Sequence, residues 1–397
     1  MTKKHALFIV ENNPVPSDVR VWKEAKAVKE FGYDVSVICP RSARVSKPFE
    51  RIDGIDIHRH YTPLNAKSKT GFLFEYANAI FWELVFCVRL FIQKRFDVIH
   101  AANPPDHIFL IALLFKLFKV KFIFDHHDIS PENYAAKFKR KDTFYYLLKL
   151  MEKLTFITSD IVISTNQSYK KIAIDRGRCR PGKVFVVRNG PELSEVEFPP
   201  ANQKWKRGFD YLVVYVGVIG NQERIDVLLR IAEYITLKKR IENIKFIIIG
   251  SGTDWKSMVK LSELKGLQKY VHFTGYVPYR DFYEILATAD VAVNPEPNNS
   301  FTDKSTMIKI MDYMTFGLPI VQFRTTEGMV TAGDAAIYVD GNNETDFADA
   351  IIKLLCEKKQ IRKMSETGKK LIFESLNWGC QKGSLKKAYL MLENLKR

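Results

Sequence analysis

Short apolar runs rich in β-branched residues alternate with longer stretches of helical periodicity almost from end to end of this chain, the pattern of helices wrapped around a parallel sheet. A strand buried on both faces reads as a continuous apolar run. Such runs predict strands at about 5–10, 34–39, 55–60, 97–101, 120–125, 160–164 and 183–187 in the first half. In the second half they recur at 211–217, 245–250, 270–275, 290–294, 319–323 and 335–339. Helices fill the gaps, for example from Asp18 to Phe31, where Gly32 supplies a C-terminal stop. No repeat or low-complexity tract interrupts the alternation. Residues 191–208 carry prolines, clustered charge and little apolar periodicity, which predicts an interdomain linker. Two doubly wound sheets joined by one linker is the expected architecture. Ligands bind outside the carboxyl ends of such strands, so chemistry is to be sought in the loops that follow them.

Length agrees, since 397 residues suffice for two domains with a cleft between them. With 61 Lys and Arg against 45 Asp and Glu, the net charge of +16 calls for an anionic partner. Nucleic acid, an acidic membrane face and a phosphorylated small molecule all qualify on charge alone. Cys39, Cys87, Cys179, Cys356 and Cys380 are odd in number, far apart and without a C-x-x-C pair. They predict neither a disulfide framework nor a zinc knuckle, and so a reducing compartment. The apolar run before Glu11 is too short for a signal-peptide core. The most lipid-like stretch, 72–91, is interrupted by Glu75, Glu83 and Arg89 and cannot comfortably span a bilayer. A cytoplasmic protein is expected, with peripheral contact to the cytoplasmic membrane face left open.

Candidate chemistry lies in five loops. After the strand at 211–217 come Gly217, Gly220 and Asn221, then a helix expected near Gln222 or Glu223. Glycines there let backbone N–H groups approach a phosphate at a helix N-terminus, although a tight strand-to-helix turn needs them equally. A second glycine turn holds Gly250, Ser251 and Gly252. The segment 294–321 carries the strongest local signal: a strand, a long polar loop, and a helix expected near Ser305. Ser305 and Thr306 would cap that helix, Lys309 would meet a phosphate, and Asp312 would accept from ribose hydroxyls. An exposed Lys309–Asp312 pair on an amphipathic helix is the plainer alternative. In the first half, the strand ending FIFD runs into His126, His127 and Asp128. Adjacent strand residues point to opposite faces, so one histidine is expected at the ligand side and the other packed. No metal is expected, because no H-E-x-x-H, cysteine partner or Asp-x-Asp pair accompanies them. Asp18 and Arg20, after the first strand, are acceptor candidates that could equally cap the next helix.

Taken together, the segments 17–40, 96–106, 122–134, 164–191 and 294–323 resemble a retaining glycosyltransferase of family GT4, of the bacterial cell-surface polysaccharide type. The resemblance covers nearly the whole chain. It implies the GT-B fold: α/β, with two Rossmann-like doubly wound domains facing a central cleft. The boundaries it suggests are 1–193 for an acceptor-side domain, completed by a crossing helix at 376–397, a linker at 194–208, and a nucleotide-sugar domain at 209–375. His127 matches the family histidine at the donor sugar, and Asp128 would orient it. Asp312 matches the second acid of the family's pair, the ribose ligand. Gly217, Gly220, Asn221, Arg224, Gly252, Val277, Ser305, Thr306 and Lys309 complete the expected donor side. The first acid of the pair falls at Lys304, and the usual basic residues of the phosphate turn fall at Val218 and Glu223. Lys309, with Arg224 or Lys304, would then take over the diphosphate. The implied reaction transfers a sugar from a UDP- or GDP-sugar to a saccharide or lipid-linked saccharide with retention and no required cofactor. A sugar-nucleotide epimerase of the same fold, and a basic non-enzymatic protein binding nucleic acid or membrane, are the rival functions. No nucleic-acid motif is visible, and the basic residues are spread along the chain. The basic, apolar segment 137–156 would suit an anionic membrane surface as a further partner.

Overall fold

Each predicted strand forms within one residue of its expected ends in a computed structural model, which describes residues 3–42, 45–61 and 69–395, with 69–77 as backbone only. The described chain divides into two units, Met1–Asn189 with Gln381–Arg397, and Gly190–Cys380.

In the first unit the strands are β1 (His5–Ile9), β2 (Asp34–Pro40), β3 (Phe49–Ile52), β4 (Ile55–His60), β5 (Val98–Ala102), β6 (Lys121–His126), β7 (Ile161–Ser164) and β8 (Val184–Val186). They form one sheet in the order β3-β4-β2-β1-β5-β6-β7-β8. All pairs are parallel except β3 with β4. That edge hairpin was not anticipated. Its turn is Asp53-Gly54, both at positive φ, the pair a two-residue hairpin favours. Helices α1 (Val19–Glu30), α2 (Lys69–Gln93), α3 (Phe109–Lys116), α4 (Ser130–Phe138), α5 (Thr143–Thr158) and α6 (Gln167–Asp175) connect these strands. In α2, Ala79, Glu83, Cys87 and Leu90 are buried whereas Phe81, Val85, Val88 and Ile92 are exposed. Both faces being apolar explains its lipid-like reading, yet no helix among the described residues is long and apolar enough to cross a membrane.

The second unit holds β9 (Tyr211–Val216), β10 (Ile244–Ile249), β11 (Val271–Gly275), β12 (Val291–Asn294), β13 (Ile320–Phe323) and β14 (Ala336–Val339). Their order is β11-β10-β9-β12-β13-β14, all parallel. This is the Rossmann order, with its reversal between β9 and β12. The accompanying helices are α7 (Ile225–Glu233), α8 (Trp255–Leu264), α9 (Tyr279–Thr288), α10 (Ile308–Thr315), α11 (Thr326–Ala332), α12 (Glu344–Cys356) and α13 (Lys358–Leu371). One apolar core lies on each face of the sheet, around Leu229, Phe246 and Phe347 on one side and Val214, Ile310 and Ile372 on the other.

The expected linker 194–208 is not a free tether. Leu193 and Trp205 pack on the second core, Trp205 Nε1 donates to Glu284 Oε2 at 3.2 Å, and Asn202 N donates to Thr288 Oγ1 at 2.8 Å. Isolated large apolar residues anchor it without any periodicity. The last helix, α14 (Trp378–Asn394), returns the chain to the first unit, where Tyr389 is fully buried.

Candidate functional site

Asp125 and His126 end β6, and strand alternation separates them. His126 is the packed histidine, fully buried among the rings of Phe124, Phe156 and Tyr169, with Nε2 3.4 Å from Glu152 Oε1. Asp125, also fully buried, points the other way. His127 begins the following loop and keeps 17% of its side chain exposed. Its backbone N–H and that of Asp128 both donate to Asn103 Oδ1, at 2.6 and 3.1 Å. Asn103 Nδ2 in turn donates to Asp106 Oδ1 and to the Asp128 carbonyl, both at 2.7 Å. The loop after β5 thus holds the loop after β6.

Beneath His127 lies a buried polar network. Arg20 Nη2 donates to Asp125 Oδ1 at 2.8 Å and lies 3.0 Å from Glu24 Oε1, one turn along α1. Arg20 Nε reaches His127 Nε2 at 2.7 Å and Asp125 Oδ2 at 3.3 Å, and Nη1 donates to the Val187 carbonyl at 2.8 Å. His127 Nε2 also meets Asp125 Oδ2 in a very short contact. His100 Nε2 stands 3.3 Å from Glu24 Oε2 and 3.8 Å from Asp125 Oδ2, and its Nδ1 is 2.9 Å from the Tyr389 hydroxyl. Burial alone would raise the Asp125 carboxyl, yet Arg20 and His127 hold it well below the ordinary range. Burial wins at Glu24, whose carboxyl is pushed up, Arg20 opposing. Burial would lower His100, but Asp125 and Glu24 raise it.

These contacts correct one expectation. Arg20 is not an exposed acceptor contact, because its guanidinium is 5% exposed and each of its nitrogens is engaged inside the unit. Asp18 takes the alternative role: it caps α1, with Oδ1 accepting from Val21 N at 3.0 Å. Glu24, Asp125 and His127 each bring one donor atom within 4.8 Å of the others, a spacing that suits a metal ion. Arg20 already supplies the cation there. Glu11, Glu83 and His107 form another such trio. Asp128 has its carboxyl raised by burial, the two histidines opposing.

In the second unit, the loops after β9 and β12 flank the reversal of strand order. Lys309, on α10, donates to Glu296 Oε1 at 2.5 Å and to the Tyr215 hydroxyl at 3.0 Å, with its ammonium 4.5 Å from the Tyr215 ring centre. Burial would lower this ammonium, but Glu296 and the tyrosines raise it, so it stays charged. Burial pushes the Tyr215 phenol to about 12. A Cβ on Gly217 would fall 2.7 Å from the Tyr215 hydroxyl and 3.1 Å from Lys309 Nζ, so glycine here keeps the ammonium next to the loop backbone. Glu223 reaches the same corner, its carboxyl raised by burial and by Glu296. Neither Glu296 nor Tyr215 was singled out from the sequence.

Gly252 serves packing, since a Cβ there would meet the Ile219 carbonyl at 2.4 Å. Gly220 lies against the Glu223 side chain, and Asn221 is exposed. The helix expected near 222 begins instead at Ile225, after Arg224 in the left-handed region. Arg224 is turned onto its own helix, donating to both carboxylate oxygens of Asp226 at 2.9 and 3.0 Å. Val277 packs against the second core in the turn before α9. The helix expected near Ser305 begins at Ile308, with no side-chain cap at Met307. Ser305 lies three residues before this start, in a turn where its hydroxyl donates to the Phe301 carbonyl at 2.9 Å. Thr306 also precedes the helix, and Asp312 sits half-buried on its second turn. Asp303, beside Lys304, accepts from Thr326 N at 2.8 Å and so secures the start of α11.

Known proteins resemble the chain over both units. The family described as Glycosyltransferase Family 4 matches residues 18–195, and that described as Glycosyl transferases group 1 matches 210–357. A D-inositol 3-phosphate glycosyltransferase of Corynebacterium urealyticum is 23% identical over 294 residues, covering 68% of this chain and 66% of that protein. An O-antigen chain mannosyltransferase B of Escherichia coli is 25% identical over 238 residues, covering 58% and 60%. The chain spans about half to two thirds of the length of the curated relatives it matches. Sucrose-phosphate synthase from Thermosynechococcus elongatus superposes with a TM-score of 0.77 at 14% identity, covering 99% of this chain and 100% of that one. Anabaena HepE in complex with UDP-glucose gives 0.70 at 13% identity, covering 98% and 99%.

Proposed function

The chain belongs to the GT4-type glycosyltransferases of GT-B fold, and from that premise we propose that it moves a hexosyl group from a UDP- or GDP-sugar to a saccharide or lipid-linked saccharide, with retention, in cell-surface glycan synthesis at the cytoplasmic membrane face. The observation that carries this reading is Lys309, a charged ammonium held beside Gly217 where the strand order of the second unit reverses. In this reading the second unit binds the nucleotide, Lys309 and the N-terminus of α10 meet the diphosphate, and Asp312 accepts from the ribose. As the glycosidic bond breaks, negative charge builds on the diphosphate, and the Lys309 ammonium, shared until then with Glu296, would stabilise it. Val277, Gly220 and Asn221 would line the nucleotide side. His127 and Asp128 of the first unit would face the sugar. The HepE complex with UDP-glucose supports a nucleotide-sugar donor.

Membrane association has its own support. On α3, at its C-terminal end and on α5, Leu110, Leu113, Leu117, Tyr146, Leu150 and Ile157 are exposed among lysines such as Lys149 and Lys153. Exposed apolar side chains beside basic ones suit an anionic lipid surface, where a lipid-linked acceptor would lie. Co-sedimentation with phosphatidylglycerol vesicles but not with phosphatidylcholine vesicles is the expected result.

The experiment for the main reading is thermal denaturation against UDP-, GDP-, ADP- and CMP-sugars. A ligand bound only by the folded protein raises the midpoint. One nucleotide is expected to do so, with the shift reduced in Asp312→Ala. No shift with any of them would remove the donor site.

A further inference from the structure

We propose that Glu24 and Tyr389 are positioning residues for His127, acting through His100 and Asp125 in one buried relay that runs from the last helix to the loop after β6. The inference rests on the reading of His127 as the sugar-facing group, and it adds what fixes that group's tautomer.

The argument starts at Asp125, whose Oδ2 is shared by His127 Nε2, Arg20 Nε and, at 3.8 Å, His100 Nε2. Two partners compete for His127 Nε2. The Asp125 carboxylate needs a hydrogen there, whereas the Arg20 Nε–H needs a lone pair. A bare nitrogen against an ionised oxygen would set two lone pairs in repulsive contact. Arg20 Nε–H has Asp125 Oδ2 as its alternative acceptor at 3.3 Å, so the hydrogen belongs on His127 Nε2. Among the described residues, the side-chain hydrogen bonds of this ring fall on Nε2, which leaves the Nδ1 lone pair for whatever meets the exposed edge.

Asp125 can do this only while it is ionised and fixed in direction. Arg20 supplies the charge and Glu24 fixes Arg20, through Nη2 to Oε1 at 3.0 Å. Glu24 Oε2 also faces His100 Nε2 at 3.3 Å. His100 Nε2 therefore meets Glu24 as a buried ion-pair contact without hydrogen-bond geometry, with Asp125 farther off at 3.8 Å, and its Nδ1 is fixed by the Tyr389 hydroxyl at 2.9 Å. Tyr389 is held in turn by the edge of the Tyr33 ring at 5.2 Å, and Tyr33 donates to Glu393 Oε1 at 2.7 Å. Without the phenol, His100 could carry its hydrogen on Nδ1 and turn a bare Nε2 toward Glu24 Oε2. Asp125 would then be pulled from its line to His127.

The test uses Glu24→Gln and Tyr389→Phe, both close to isosteric, with His127→Ala as control. Histidine-selective ¹⁵N NMR of the full chain reads the His127 tautomer without any substrate. The wild type is expected to show His127 protonated at Nε2, and each variant to show mixed tautomers. Donor hydrolysis, with the nucleotide-sugar selected by thermal shift, should lose about tenfold or more in kcat at unchanged KM. Wild-type tautomer and kcat in both variants would overturn the relay. So would a loss of thermal stability alone, since that is what a merely structural contact would give. Should Glu24→Gln not fold, Tyr389→Phe decides. Unchanged kcat in His127→Ala would sink the role of His127 itself, whatever the relay does.

Discussion

Arg20 and Asp125, one on α1 and the other at the end of β6, form a two-pronged buried ion pair, Nη2 to Oδ1 at 2.8 Å and Nε to Oδ2 at 3.3 Å. Removing one partner of such a pair leaves the other charge buried and uncompensated. Arg20→Ala is therefore expected to cost about 3–5 kcal/mol of stability, read from the urea midpoint. Arg20→Lys should recover only part, because a point charge cannot serve two oxygens and the Val187 carbonyl together. Unaltered stability in Arg20→Ala would return Arg20 to the list of substrate contacts.

Lys309 is neutralised by Glu296, so a diphosphate must compete with that carboxylate for the ammonium. Glu296→Gln keeps the shape and removes the competing charge. It is expected to tighten nucleoside-diphosphate binding by up to about tenfold, or 1.4 kcal/mol, whereas Lys309→Ala should weaken it by at least about tenfold. Titration calorimetry with UDP and GDP measures both. Equal affinities across wild type and both variants would detach this corner from the donor.

Strands were legible in the sequence because a sheet covered on both faces demands unbroken apolar runs such as KFIIIG. The edge strand β3 carries no such run, and only its Asp53-Gly54 turn could have announced it. His127 was legible from its place after a strand. Its supporting network was not, because Arg20, Glu24, His100, Asp125 and Tyr389 come from four separate elements and no local spacing links them. A hint existed in the Asp that ends the apolar strand FIFD, where a buried carboxylate needs a cation from elsewhere. The start of α10 was misplaced because Ser305 looks like a cap in sequence, whereas the loop continues for two more residues before the helix begins at Ile308. The Arg224–Asp226 pair was not foreseen either, although the two lie only two residues apart.

Gly250 lies at φ 127°, and a Cβ there would sit 1.9 Å from the Gly217 carbonyl. Backbone clash and left-handed strain act together at this site. Gly250→Ala is expected to destabilise the protein by about 2 kcal/mol or more and to weaken nucleoside-diphosphate binding, since Gly217 must move. Thermal denaturation and calorimetry check the two effects. Wild-type behaviour in both would mean that the loops after β9 and β10 shift apart at little cost.

Asp106 gives a pH dependence whose sign can be worked out. Burial, reinforced by Glu152, raises its carboxyl to about 7, with Ser130 and His126 opposing. The folded protein thus holds this proton more tightly than the unfolded chain, whose carboxyl titrates near 3.8. The stabilisation is fully present below that lower value and is lost as pH rises through about 7, an upper limit of about 4 kcal/mol. Asp106→Asn cannot titrate and keeps the oxygen that accepts from Asn103 Nδ2 at 2.7 Å. Its stability relative to wild type should therefore rise between pH 4 and pH 8, by an amount set by that limit. Urea denaturation at several pH values measures the difference. A difference constant with pH would mean that Asp106 stays ionised in the fold, and that Asn103 alone holds the His127 loop against a charged neighbour.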